Sequence, residues 1–204
     1  MRVFLKLVAA TLAGKSPLHH VYFEGRRVLD IACGTGNLPD HDTESYVGVD
    51  ISDEMLRRSR ESGRKVVKAD ACRLPFRTGS FGAVNCANII EHLHPPQAAA
   101  MVFEAGRVLA PGGVLLIRTP SVASVWNTFS HVRPYPPAAI QKLLTTATED
   151  YVRTDRCLPK LAIERVFTYG SVFDSRLGRL LTALLGLLLP WGHTGYAVVL
   201  RRHG

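Results

Sequence analysis

Through the first 120 residues, short apolar runs alternate with stretches of helical periodicity, and no other feature restricts the fold so tightly. Arg27–Ala32 (RVLDIA) reads as a buried strand and Ser45–Ile51 as the next. Lys65–Ala69, Gly82–Ala87 and Val114–Thr119 supply three more. Ser52 stands where it can N-cap a helix running towards Glu61, with Asp53 and Glu54 in the first turn. A second helix is expected over Pro96–Val108, after which Leu109–Gly113 (LAPGG) breaks the chain before the fifth strand. Buried strands separated by helices predict a parallel sheet covered on both faces, a doubly wound α/β architecture. Beyond residue 120 the pattern loosens. A helix is expected near Ala138–Thr146 behind Pro134–Pro137, then a strand at Leu161–Tyr169 and a last one at Gly195–Arg202.

The 204 residues contain no internal repeat, linker or low-complexity tract, so a single domain is expected. Residues 1–14 place Val3, Phe4, Leu7, Val8 and Leu12 at helical spacing, which fits an amphipathic helix better than a targeting segment. The most apolar stretch, Leu180–Pro190, has about half of the roughly 20 residues a membrane span needs and reads as a core helix closed by Pro190. Twenty-five Lys and Arg against 17 Asp and Glu give a net charge of +8, which favours an anionic partner: a small acid, a phospholipid surface or nucleic acid. The cysteines at 33, 72, 86 and 157 form no CxxC and no Cys/His pair at zinc-ligand spacing, so no metal site is expected. Scattered thiols at this chain length suit a reducing, cytoplasmic compartment.

The segment richest in chemistry is Val28-Leu29-Asp30-Ile31-Ala32-Cys33-Gly34-Thr35-Gly36. A glycine-rich turn after the first strand lets backbone approach a nucleotide-like ligand closely. A pyrophosphate beside Asp30 would be repelled, whereas a ligand ammonium would be attracted. Asp50 ends the second strand, 16 residues after Gly34, where a carboxylate can accept from two ribose hydroxyls. A ligand with an ammonium and a ribose but no phosphate is S-adenosylmethionine. A nicotinamide dinucleotide would need a small residue three positions after Gly36, and that position is Pro39.

At this point the chain resembles the class I S-adenosylmethionine-dependent methyltransferases, in particular the small-molecule branch that includes quinone-biosynthesis enzymes. The resemblance runs over roughly residues 26–145. VLDIACGTG is similar to the first motif and implies Asp30, Ala32, Cys33, Gly34 and Gly36 around the methionine portion of the cofactor. GVDIS is similar to the second and implies Asp50 on the ribose with Ile51 against the adenine. Lys68-Ala69-Asp70-Ala71 is similar to the adenine-edge motif, with Asp70 accepting from the exocyclic amine and the Ala71 amide donating to the ring. Phe81–Leu93 is similar to the fourth strand and its Glu-His-Leu ending, which implies Ala87 and Asn88 near the methionine end. The family's sheet has seven strands with the last antiparallel. On this basis residues 1–25 form an N-terminal helix and lead-in, 26–120 the cofactor half and 121–204 the substrate half.

There are departures from the pattern. Ala32 stands where glycine is frequent, which is tolerable if φ there is negative. Gly82 replaces a frequent aspartate, and only nine residues separate Gly36 from Tyr46, so the first helix is expected to be a turn or two at most. His92 or His131 is the expected base if the acceptor is a hydroxyl, with Arg133 as an anion clamp and Tyr135 as a wall. The acceptor is expected to be a small or lipid-like molecule, anionic on the charge argument, with S-adenosylhomocysteine as the other product. Arg57, Arg58, Arg60, Arg64, Lys65 and Lys68 read as a solvated face, and without interleaved aromatics nucleic-acid binding is not expected. Contact with a membrane surface remains open beside the cytoplasmic assignment.

Overall fold

Four consecutive buried residues make β1 (Val28–Ile31) the spine of the molecule. The computed structural model describes residues 5–7, 17–36, 38, 45–146, 160–169 and 194–204. In it β1 lies between β2 (Tyr46–Asp50) and β4 (Phe81–Ala87), parallel to both. β3 (Val66–Lys68) flanks β2, and β5 (Leu109–Pro120) flanks β4, again in parallel. β7 (Gly195–Arg202) runs antiparallel between β5 and β6 (Leu161–Tyr169), giving one seven-stranded sheet in the order β3-β2-β1-β4-β5-β7-β6. The mainly parallel, doubly wound sheet expected from the alternation is thus present.

Period-two burial explains why both faces are covered. Leu29, Ile31, Val84, Cys86, Leu115 and Ile117 form one layer with Met101, Val102 and Ala105 of α3 (Pro95–Val108). Val28, Ala83, Leu116, Ala197 and Val199 form the other with Phe23 of α1 (Pro17–Phe23) and Leu56 of α2 (Asp53–Glu61). Each fully buried Leu, Ile or Val contributes roughly 1.5–3 kcal/mol. The α2 helix begins as expected, with the Ser52 hydroxyl accepting from the Met55 amide at 3.4 Å. Its basic residues are ion-paired and exposed: Arg57 with Glu54 and Glu61, Arg58 with Glu54, and Lys68 of β3 with Asp53.

Two local expectations are corrected. Leu109–Gly113 does not break the chain; it belongs to β5 as a bulge, with Leu109 opposite Phe81 and Val114 opposite Ala83. Pro111 tolerates this because the bulged residues skip the ladder. Ala32 does not keep a negative φ, but sits in the left-handed region at +55°. That conformation costs an L-residue about 1–2 kcal/mol, of which glycine's greater chain entropy would return only part. Ala32→Gly is therefore expected to stabilise the protein by about 0.5–1 kcal/mol, raising the calorimetric midpoint by roughly 2–3 °C. A lowered midpoint would mean that the alanine methyl makes compensating contacts.

Of the expected N-terminal helix only Leu5–Leu7 is described, and it is helical. Leu180–Pro190, Cys157 and the residues expected to form the short first helix after Gly36 lie outside the described residues. Among the described residues, no helix is long and apolar enough to cross a membrane. Cys33 and Cys86 are buried and Cys72 is partly exposed; all three are free thiols.

Candidate active site

The strand order reverses at β1, so the carboxyl ends of β1, β2 and β4 lie side by side, where sheets of this kind usually form a ligand crevice. Register then decides which side chains meet beneath it. Asp30 pairs with Gly48 of β2 and Asn85 of β4. Its Oδ1 accepts from Asn85 Nδ2 at 2.7 Å and its Oδ2 from the Tyr46 hydroxyl at 3.0 Å. Gly48 makes room for this arrangement: a Cβ there would lie 2.9 Å from the Tyr46 hydroxyl and 2.7 Å from Cys33 Sγ. Asp30 is only 5% exposed, and burial raises its pKa to about 6 despite the two donors and the nearby Arg64.

Asp50 works differently. Its Oδ2 accepts from the Gly34 amide and its Oδ1 from the Ser52 amide, both at 2.9 Å. The carboxylate therefore ties the glycine turn to the start of α2. The turn itself needs left-handed backbone at Gly34 (φ +53°) and Gly36 (φ +78°). Gly36 is also pinned by space, since a Cβ would lie 2.5 Å from Ser59 Oγ and 3.1 Å from Arg64 Cγ. Cys33 turns its thiol inward against Gly48, and burial pushes that thiol up to about 12, so it is inert at neutral pH. Just past Asp50, Ile51 is 69% exposed, a large apolar side chain left in water at the crevice edge.

The third wall is the loop after β3. Asp70 Oδ1 accepts from the Cys72 amide at 2.8 Å and the Asp70 carbonyl from the Arg73 amide, an Asx-type turn that presents Ala71. An ion pair in α3 fixes this loop. Glu104 Oε2 accepts from the Leu74 amide at 2.8 Å, while Arg107 donates to the carbonyls of Phe76 (2.7 Å) and Leu74 (3.0 Å) and to Glu104 itself.

At the tip of β4, Asn88 is exposed with φ +56°, Ala87 is half-buried, and a short 3-10 turn, Ile90–His92, follows. That turn meets the loop after β5. The Glu91 carbonyl accepts from the Val132 amide at 2.8 Å, and the His92 and His131 rings sit edge to face, centroids 4.7 Å apart. His92 Nδ1 donates to the Ser130 carbonyl (3.2 Å) and His131 Nδ1 to the Val125 carbonyl (2.6 Å), leaving each Nε2 as the basic nitrogen. Among the described residues neither buried Glu91 carboxylate oxygen has a close hydrogen-bond partner, and burial raises its pKa against the lowering effects of its own backbone amide and the two imidazoles. Glu91, His92 and His131 each bring one ligating atom within 4.8 Å of the others, so they can share a proton or hold a cation. Spacing alone did not expose that trio. Tyr135 is buried, donates to the Leu93 carbonyl at 2.8 Å, and carries the Arg133 guanidinium over its ring at 5.2 Å.

Sequence reasoning missed Tyr46, Asn85, Glu91 and the Glu104–Arg107 pair. An asparagine inside the otherwise apolar FGAVNCA was the available signal for Asn85.

A family described as a methyltransferase domain matches residues 29–117, the span from β1 to the end of the parallel sheet. A crystal structure of a methyltransferase from Archaeoglobus fulgidus aligns with a TM-score of 0.64 at 20% identity, covering 98% of this chain and 94% of that one. The ubiquinone biosynthesis O-methyltransferase of Psychrobacter arcticus is 29% identical over 162 residues, 72% of this chain and 61% of that protein. From β1 into β5 this chain is thus similar to a methyltransferase domain, within a fold shared with methyltransferases of known structure. The strand tips suit S-adenosylmethionine, with two carboxylates, a glycine turn and an exposed apolar side chain at Ile51. A second relative, "Probable tRNA methyltransferase 9B" of Mus musculus, is 34% identical over 95 residues, 46% of this chain and 21% of that protein. The chain thus spans about three fifths of the quinone-pathway relative and a fifth of the tRNA-named one.

Proposed function

We propose that the protein methylates a small or lipid-like acceptor by in-line displacement at the sulfonium methyl. The bound cofactor supplies an already activated methyl carbon. The protein must hold the acceptor at near-attack distance and, for a hydroxyl, take its proton. The acceptor's lone pair forms the new bond as the carbon–sulfur bond breaks, the electron pair passes to sulfur, and the hydroxyl proton goes to an imidazole. Asp50 has lone pairs left after its two backbone donors and accepts from the ribose hydroxyls. Ile51 lies against the adenine, Asp70 and the Ala71 amide meet its polar edge, and Asp30 faces the methionine ammonium beyond Ala32, Cys33, Gly34 and Gly36. Ala87 and Asn88 border the methionine end. His92 and His131 are the candidate bases, with Arg133 and Tyr135 on the acceptor side.

What supports this reading is that Asp30 and Asp50 lie near the carboxyl ends of the adjacent parallel strands β1 and β2, while the Glu91–His92–His131 group follows β4, the other neighbour of β1. Val122, Trp126 and Phe129 stand exposed on the loop leading to His131, an apolar approach suited to a lipid-like acceptor and to contact with a membrane surface. RNA methylation is the second reading, favoured by the tRNA-named relative and the net charge of +8. Against it, Arg57, Arg58 and Lys68 already face acids of their own surface.

Calorimetry with S-adenosylhomocysteine should show Asp50→Ala weakening affinity by about 10–100-fold, the usual cost of losing hydrogen bonds to a charged group. Unchanged affinity would remove the ribose role. Labelled methyl from the cofactor should appear in the organic extract of a lysate; label in RNA would transfer the assignment to the second reading.

A further inference from the structure

Beside the β4 tip, on the β5–β7–β6 side, stands a group of side chains that the cofactor reading leaves unused. Arg118 lies near the carboxyl end of β5, and its carbonyl accepts from the Asn88 amide at 3.1 Å. Tyr169 ends β6, and Gly195 begins β7 opposite both Tyr169 and Pro120. A Cβ at Gly195 would lie 2.4 Å from Tyr169 Cζ and 2.6 Å from its hydroxyl, so only the missing side chain lets the phenol cross β7. Having crossed, the hydroxyl reaches Asn88 Oδ1 at 3.4 Å, and the Arg118 guanidinium lies 5.9 Å from the ring centroid.

Among the described residues this guanidinium has no counter-ion: no carboxylate lies within ion-pair distance of it, and its Nε is buried with no hydrogen-bond partner. Burial lowers its pKa, opposed only by Tyr169. Arg118 is partly buried beside the Tyr169 ring, and a half-desolvated cation of this kind gains free energy when an anionic ligand pairs with it. The planar fork of arginine matches a carboxylate with two parallel donors.

We propose that Arg118 and the Tyr169 hydroxyl form the receptor for an anionic group on the methyl acceptor, so that the preferred acceptors are carboxylic acids. The inference rests on the methyl-transfer reading above, which places the transferred methyl near Ala87 and Asn88, one strand away from Arg118.

The test is calorimetry on the full chain with 3,4-dihydroxybenzoate and the neutral 3,4-dihydroxybenzamide, with and without saturating S-adenosylhomocysteine. The unmodified protein should prefer the acid by about ten-fold or more, the scale of a charge-assisted contact. Arg118→Gln should abolish that preference by weakening the acid alone, and Arg118→Lys should keep part of it. Tyr169→Phe, which leaves the cation in place, should weaken the acid by about three- to ten-fold and the amide little. Equal affinity for the two probes, no binding of the acid, or equal losses in the variants would overturn the proposal. So would an equal loss of S-adenosylhomocysteine affinity in Arg118→Gln, which would put the guanidinium on the cofactor. Acid preference in a protein that fails to bind S-adenosylhomocysteine would sink the methyl-transfer reading and leave the receptor standing.

Discussion

Changing His92 and His131 together to glutamine is expected to lower turnover of a hydroxyl acceptor by about 10²–10⁴-fold, the range of general-base catalysis. S-adenosylhomocysteine affinity should change by less than about three-fold, because neither ring belongs to the cofactor cradle. The two rings are 4.7 Å apart, and each is held through Nδ1 by a backbone carbonyl, so both Nε2 atoms are available as bases. Glu91 lies buried beside them and stabilises positive charge on either ring once it is ionised. Glutamine keeps hydrogen-bonding ability at each position and removes basicity. Single-turnover rates set against cofactor affinity separate proton removal from binding. A loss of less than about ten-fold with a hydroxyl acceptor would discard the imidazoles as bases and leave a carbon or amine acceptor as the consistent chemistry.

The second large effect concerns Asp30. Its carboxyl titrates near 6 in the folded chain because it is buried between β2 and β4, against an ordinary value near 3.8 in the unfolded chain. Between those values the folded state holds the proton and the unfolded state has lost it. Stability therefore falls as pH rises from about 4 to about 6 and is level above that window. About two pKa units correspond to roughly 3 kcal/mol from this one group. Urea unfolding at steps from pH 4 to pH 8 should show the decline in the unmodified protein and a flatter curve in Asp30→Asn. Parallel curves would mean that the hydrogen bonds from Asn85 and Tyr46 hold the carboxyl ionised throughout.

The same titration couples to the ligand. An ammonium placed near Asp30 favours the ionised carboxyl, so S-adenosylhomocysteine affinity should rise with pH through the same window and binding should release a proton near pH 5.5. Asp30→Asn should remove both effects. Calorimetry in buffers of different ionisation enthalpy measures the released proton directly, and no release would separate Asp30 from the ammonium.

Much of the architecture could be read before any fold was known, for identifiable reasons. β6 and β7 fall on their expected boundaries, and α2 starts at Ser52, because alternation and capping are written in neighbouring residues. The LAPGG bulge was misread as a break because whether glycine and proline end a strand or bend it depends on the partner strand. The conformation of Ala32 was misread for a related reason. Its left-handed φ is imposed by the turn between β1 and Gly34, and alanine itself carries no sign of it.

The site divides along the same line. By itself the sequence determined the parallel sheet, the glycine turn and the two acids at strand tips, since each depends on residue type and short spacing. Only the tertiary structure decided that Asp30 meets Asn85, 55 residues away, that His92 and His131 share one corner, and that Tyr169 crosses Gly195 towards Asn88, 81 residues away. Those meetings depend on strand register and side-chain parity, and a shift of one residue would turn each partner to the opposite face of the sheet.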